Sequence, residues 1–263
     1  MSTGYTDQEL LKLDPQLDAL FKKRGIPRLP LPTRENIHAV RKGFAAAIAR
    51  FNASPFAQAA LPSEPNWTET DHVVPVTDGR SVKVRVYTPS RSSRQTHPVV
   101  LFAPAGGWCM GGLDTEAFLC RLFCSKLGLL VVNVAYGLYP EVAFEVPQQD
   151  CLDVAKWVVQ NADVLRGDLN AGFVWGGNSG GCTWMSVAAH RWRKQEGSPP
   201  ITGTFFLCPI FTDEYLDEAG ETRFKYDHSK ENRSVEQCKD APLMNTAMAE
   251  SIRGKDERLV FDR

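Results

Sequence analysis

The segment GFVWGGNSGGCTW, residues 172–184, sets Ser179 among Gly176, Gly177, Gly180 and Gly181 directly after a short apolar run. The run FVW predicts a buried strand. The stretch GCTWMSVAAHRWRKQ beyond it, apolar at three- and four-residue spacing, predicts a helix. A strand that passes into a helix within one or two residues needs a sharp turn, and side chains flanking that turn would clash, which accounts for the glycines. Gly177-Asn178-Ser179-Gly180-Gly181 matches the G-x-S-x-G pattern of a nucleophile elbow, which holds the serine hydroxyl out at the carboxyl edge of a sheet. The helix behind Ser179 brings free N–H groups and the positive end of its dipole to the same point, suited to an oxyanion forming on a substrate carbonyl. The same glycines fit a phosphate-cradling loop or a plain helix-packing turn; the strand before them and the helix after them favour the elbow.

On both sides of this segment, short apolar runs alternate with helical patterns. HPVVLF is followed by TEAFLCRLFCSKLG, then GLLVVNVAYG and QQDCLDVAKWVVQNA, and the elbow helix is followed by TGTFFLCPIF. This alternation predicts an α/β fold with a mostly parallel sheet flanked by helices on both faces. The loop APAGGWCMGG, residues 103–112, follows the strand HPVVLF and should open at the same sheet edge as Ser179. Read alone it is an ordinary glycine-rich βα turn. Beside the elbow it makes the backbone amides of Gly106 and Gly107, with that of Gly180, the expected oxyanion hole.

Residues 1–60 are helix-like. LKLDPQLDALFKKRG and RENIHAVRKGFAAAIARF predict two helices separated by Pro27, Pro30 and Pro32. From about residue 69 the period changes to two: TDHVVPVTDGRSVKVRVYTP alternates Val73, Val82, Val84 and Val86 with polar residues around Asp78-Gly79, a hairpin signal. The expected organisation is an N-terminal helical lid segment over 1–65 and an α/β core over 66–263. In the lid, Phe21, Phe44 and Phe51 would line an apolar pocket or simply pack in the core.

Composition narrows the function. A chain of 263 residues, 43% apolar, buries a sizeable core, and a formal net charge of -1 gives no basic field for nucleic acid or an anionic membrane. The start MSTGYTDQELLKLDPQ has no basic and apolar leader, and no window of about 18 apolar residues occurs, so a soluble, cytoplasmic protein without a membrane span is expected. Seven cysteines at spacings that match no zinc or redox motif are expected to be reduced and mostly buried, and no metal or cofactor is expected. Sequons at Asn52, Asn66 and Asn232 carry no weight in such a chain.

These residues resemble the hormone-sensitive-lipase-like branch of the α/β-hydrolase fold, carboxylesterases that carry H-G-G-G-W before the first crossover helix and G-D-S-A-G-G at the elbow. The matching positions read Pro104-Ala105-Gly106-Gly107-Trp108 and Gly177-Asn178-Ser179-Gly180-Gly181. Residues 134–158, VAYGLYPEVAFEVPQQDCLDVAKWV, are similar to the family's Y-R-L-A-P-E-x-x-F-P-x-x-x-x-D run, with Tyr136, Pro140, Glu141, Phe144, Pro147 and Asp150 in place. The resemblance spans roughly 70–215, and WCMGGLDTEA looks most like fungal members. It implies Ser179 as nucleophile. It departs at Pro104, at Ala105 and at Asn178, which stands where the family has aspartate.

The family places its triad acid and base on the last two strands, in the order Ser, Asp or Glu, His. The sequence ends at Arg263, and those strands are expected to be missing, which makes the chain read as shortened at its C-terminus. His97 should lie at the amino edge of the sheet. His190, along the elbow helix, would stand about 16 Å from Ser179. The remaining candidates are Asp213, after TFFLCPIF, and His228, in RFKYDHSKEN. A sheet lacking its last strands exposes an edge, through which a homo-oligomer is expected.

Three functions follow. The first is a serine carboxylic-ester hydrolase acting on a small to medium apolar ester, in fungal secondary-metabolite or toxin biosynthesis as the resemblance implies. The second is a non-hydrolytic cyclase or dehydratase on the same fold. The third is a catalytically dead ligand-binding protein, since plant gibberellin receptors resemble this family without its histidine.

Overall fold

The computed structural model describes residues 15–24, 32–33, 35–90, 94–209, 214–216 and 222–224. They divide into a unit formed by 38–211 and a second formed by 1–37 with 212–261. The second unit holds helix α1 (Pro15–Arg24) and, from its other segment, the antiparallel strands β7 (Glu214–Leu216) and β8 (Thr222–Phe224).

The larger unit begins with helices α2 (Ile37–Asn52) and α3 (Pro55–Ala60). The sequence predicts only two N-terminal helices; α3 is a third, a single capped turn in which the Ser54 hydroxyl accepts from the Ala57 amide and Pro55 takes the first position. Strands β1 (Trp67–Pro75) and β2 (Ser81–Pro89) form the expected hairpin, with Gly79 at φ 84 in the turn. Its inward set differs by one residue from the expected alternation: Val73 is 63% exposed and Val74 only 1%. Residues opposite one another share a face. Val74 pairs with the buried Val82, whereas Val73 pairs with the exposed Lys83.

The chain continues as β3 (Val99–Ala103), α4 (Ala117–Leu127), β4 (Leu130–Ala135), α5 (Val146–Gln160), α6 (Ala162–Leu165), β5 (Phe173–Asn178), α7 (Gly180–Trp192) and β6 (Gly203–Leu207). The six-stranded sheet runs β1-β2-β4-β3-β5-β6. The hairpin joins it antiparallel, through β2 against β4, and β4, β3, β5 and β6 are mutually parallel, as the alternation predicts. The central strands are buried on both faces. Val100, Phe102 and Val131 pack with Cys120 and Cys124 of α4, with Val174 and Phe205 against the same cluster. On the other face the Phe173 and Trp175 rings lie 6.2 and 5.4 Å from that of Trp192 on α7. The cysteines serve as small apolar groups: among the described residues six are free, and of these Cys208 is exposed.

His97 enters β3 fully buried, at the amino edge as expected. Its Nδ1 lies 3.1 Å from the Gly128 carbonyl oxygen, so Nδ1 carries the proton, and Nε2 has no partner among the described residues. Burial, reinforced by Arg166 and Arg94 and offset in part by the Gly128 bond, holds the imidazole below its ordinary titration range. The unfolded chain then binds a proton that the native one refuses. Stability is full above about pH 6.5 and is lost as pH falls below it. Urea midpoints at pH 7.5 and 5.0 should show this loss, and His97→Leu should flatten it.

Candidate active site

The parallel register fixes the geometry. Ala103, the last residue of β3, lies beside Gly177 of β5, so the loop after β3 and the elbow after β5 leave neighbouring strands at the same edge. Ser179 occupies φ 49, ψ −118, a conformation rare for a residue with a side chain. It is held there by its own amide, which donates to the Leu207 carbonyl at the end of β6 (2.8 Å), and by its carbonyl, which accepts from Cys182 (2.9 Å). Its side chain makes no capping bond to α7, which leaves the hydroxyl free for chemistry.

Gly181 is where α7 meets β3. A Cβ there would overlap the carbonyl oxygen of Ala103, with the Pro104 oxygen at 2.6 Å. The helix can start this close to the strand only without a side chain. Gly180 lies against Trp108: a Cβ on it would stand 3.0 Å from the Trp108 amide nitrogen. The Trp108 indole donates to the Gly180 carbonyl at 3.2 Å, binding the glycine-rich loop to the first turn of α7.

That loop is fixed at almost every residue. The Tyr136 hydroxyl donates to the Pro104 carbonyl (2.9 Å) and the Ala105 amide donates to Glu116 Oε1 (3.3 Å). The Cys109 and Met110 amides donate to the Gly106 carbonyl, and the Tyr139 amide to that of Trp108. Gly106, at φ 152, could carry no side chain, since a Cβ would overlap the Met110 carbonyl. What the loop leaves unused are the amides of Gly106 and Gly107, which with that of Gly180 donate to no acceptor among the described residues. The sequence names these same amides as candidate oxyanion donors. Pro104 and Ala105, which stand where the resemblance has histidine and glycine, are anchored by Tyr136 and Glu116.

The run similar to the family's between Tyr136 and Asp150 supports this edge. Glu141 accepts both Arg41 Nη1 (2.6 Å) and Nη2 (2.7 Å), Phe144 packs its ring 5.3 Å from Trp108 and 4.5 Å from Trp184, and buried Asp150 accepts from the Gly137 amide (2.8 Å) and Arg80 (2.8 Å). Arg41 itself was not singled out by the sequence. From α2 it also donates to the Cys109 carbonyl (2.7 Å) and the Tyr139 carbonyl (2.9 Å), so this helix is pinned to the glycine-rich loop. The guanidinium hydrogen bond holds the Glu141 carboxyl below the usual carboxylate range. Arg41→Ala should lower stability by about 2 kcal/mol, chiefly through the two carbonyl bonds. Arg41→Lys should recover little of this, having no fork. Glu141→Gln, at a half-exposed site, should cost under about 1 kcal/mol. Urea unfolding of the three variants checks the order.

Three of the described histidines lie away from the elbow. His97 is at the amino edge, the His72 ring lies tilted with its centroid 5.2 Å from that of Trp157, and His190 sits exposed in the last turn of α7. Asp213 and His228 lie outside the described residues, as does the Phe21 side chain. Phe51 is 43% exposed and packs on Phe118 and Phe56. Among the described residues no group of histidine, cysteine or acidic side chains could hold a metal ion, and no helix is long and apolar enough to cross a membrane.

Residues 100–257 match the family model for the alpha/beta hydrolase fold. The chain belongs to the α/β-hydrolase fold family. The family match and its esterase relatives place it in the hormone-sensitive-lipase-like branch. It is 31% identical over 224 residues to an AB hydrolase superfamily protein of Schizosaccharomyces pombe, covering 84% of this chain and 63% of that one. It is 32% identical over 171 residues to the versiconal hemiacetal acetate esterase of Dothistroma septosporum, covering 64% of this chain and 51% of that one. The chain thus spans about half to two thirds of the length of these relatives. Among solved structures, vibralactone cyclase superposes with a TM-score of 0.78 at 25% identity, over 98% of this chain and 76% of the cyclase.

Proposed function

We propose that this chain carries the nucleophile and oxyanion hole of a serine carboxylic-ester hydrolase. The observation behind this reading is the shared edge: Ser179 in its strained turn, beside three amides that donate to no acceptor among the described residues. In the proposed reaction the Ser179 oxygen bonds to the ester carbonyl carbon, and the amides of Gly106, Gly107 and Gly180 hold the negative oxygen. The carbon–oxygen bond to the alcohol then breaks and the alcohol leaves with a proton. Water next attacks the acyl-serine, releasing the acid and restoring Ser179. Asp213 and His228 are the proposed acid and base. The kinship with a hemiacetal acetate esterase of a fungus supports a small acyl group on a medium-sized apolar alcohol; the proposed setting is fungal secondary or toxin metabolism.

The test is turnover of p-nitrophenyl acetate and butyrate together with labelling by a fluorophosphonate probe. Hydrolysis with probe on Ser179, reduced in His228→Ala, supports the proposal. Absence of both turnover and labelling would overturn it. The likeness to vibralactone cyclase gives a second reading, in which the acyl-serine is captured by a hydroxyl of the substrate itself. Reaction in ¹⁸O-labelled water separates them, because only hydrolysis puts the label into the released acid.

A further inference from the structure

Beneath the elbow lies a carboxylate that the reaction above does not use. Glu116, the residue before α4, is buried, and its Oε1 accepts two donors from different parts of the site. One is the Ala105 amide of the glycine-rich loop (3.3 Å), and the other is Nδ2 of Asn178, the residue before the nucleophile (2.7 Å). The loop follows β3 and the elbow follows β5, so this oxygen joins two segments that carry different oxyanion donors: Gly106 and Gly107 on one side, Gly180 on the other. We infer that Glu116 is a positioning residue that sets the spacing of the oxyanion donors by clamping the glycine-rich loop to the elbow through one carboxylate oxygen.

The identity of residue 178 follows from this clamp. Asparagine offers Glu116 an N–H, whereas an aspartate at 178 would put two carboxyl groups at hydrogen-bond distance, able to coexist only by sharing a proton. Among the described residues no basic group compensates. The titratable groups whose charges act across this space are Cys120 on α4, Tyr136 after β4 and Cys182 on α7. Burial holds all three neutral, with Cys182 pushed up to about 11 and the other two pushed up as well. Burial also raises the Glu116 carboxyl, and its bonds to Asn178 and Ala105 pull it partly back.

This inference rests on the esterase reading for its kinetic test, and on the fold alone for its second test. With p-nitrophenyl acetate, Glu116→Ala should lower kcat by about 100-fold with KM little changed, since misplaced donors weaken the transition state more than the ground state. Glu116→Gln keeps an acceptor oxygen of the same reach and should recover most of that loss. Asn178→Asp should add a limb to the pH profile, with activity falling as pH rises and the shared proton is lost. Unchanged kcat in Glu116→Ala, or an Asn178→Asp profile that superposes on that of the parent protein, overturns the inference. Amide hydrogen exchange on the same proteins decides without turnover. Exchange at Ala105 should accelerate at least tenfold in Glu116→Ala and stay near the parent rate in Glu116→Gln, and equal rates in all three overturn the clamp. A parent protein that turns over no ester overturns the esterase reading and leaves the exchange result to judge Glu116.

Discussion

Replacing Ser179 by alanine is expected to cut ester turnover by about 10⁴-fold or more and to abolish fluorophosphonate labelling, because no other group in the described site can form the acyl intermediate. The companion replacement, Ser179→Gly, should be equally inactive yet more stable than the parent. The serine backbone is held at φ 49, ψ −118 by its bonds to Leu207 and Cys182, and those bonds do not depend on its side chain. A side-chain-bearing residue in such a region costs about 1–3 kcal/mol, of which glycine relieves the larger part. Glycine gives back about 0.5–1 kcal/mol in unfolded-chain entropy. A net gain of about 1 kcal/mol remains, visible as a Tm higher by about 2–4 °C. Inactive alanine and glycine variants, with the glycine protein melting higher, identify stored strain at the nucleophile. Full turnover in Ser179→Ala would take Ser179 out of the chemistry. An unchanged Tm in Ser179→Gly would mean the elbow is not strained.

The elbow was legible because its requirements are local. A strand, a one-residue turn and a helix within residues 172–192 force glycine at the contact points, and a run of apolar residues before Ser179 is enough to give the direction. The pairing of this turn with Gly106 and Gly107 was legible for a topological reason: in a parallel sheet every βα loop leaves at the same edge. What escaped the sequence are the pairings that act over long separations, even where one partner stands in a quoted run. Arg41 reaches Cys109 and Glu141, Tyr136 reaches Pro104, and Glu116 reaches Asn178. None of these pairs has a periodic or motif signature, and an acidic residue ahead of an apolar helix reads first as a favourable charge at the N-terminus of that helix. Val73 and Val74 were ambiguous for a different reason: two adjacent valines satisfy alternation in either phase, and only the pairing of Val74 with Val82 decides it. Helix α3 is too short for a periodicity to develop, although Ser54 before Pro55 is a readable start signal.

A single methyl group separates the second large effect from a control. Gly181→Ala should unfold or severely destabilise the protein, by more than about 3 kcal/mol, because its Cβ would sit on the Ala103 carbonyl with the Pro104 oxygen close behind. Both atoms are backbone. The Ala103 end is held in register with Gly177, and Pro104 is anchored by the buried Tyr136 hydroxyl, so neither can yield without moving β3 or the loop that carries Gly106. Gly43→Ala adds the same methyl in the interior of α2, where nothing lies within 4 Å of the new carbon. There the only effects are helix propensity and unfolded-chain entropy, and the protein should gain about 0.5–1 kcal/mol. Urea unfolding of the two variants, with soluble yield as a second readout, measures the contrast. Equal stabilities would mean that α7 can slide away from β3, and the close approach that aligns Gly180 with Gly106 and Gly107 would then not be a fixed property of the fold.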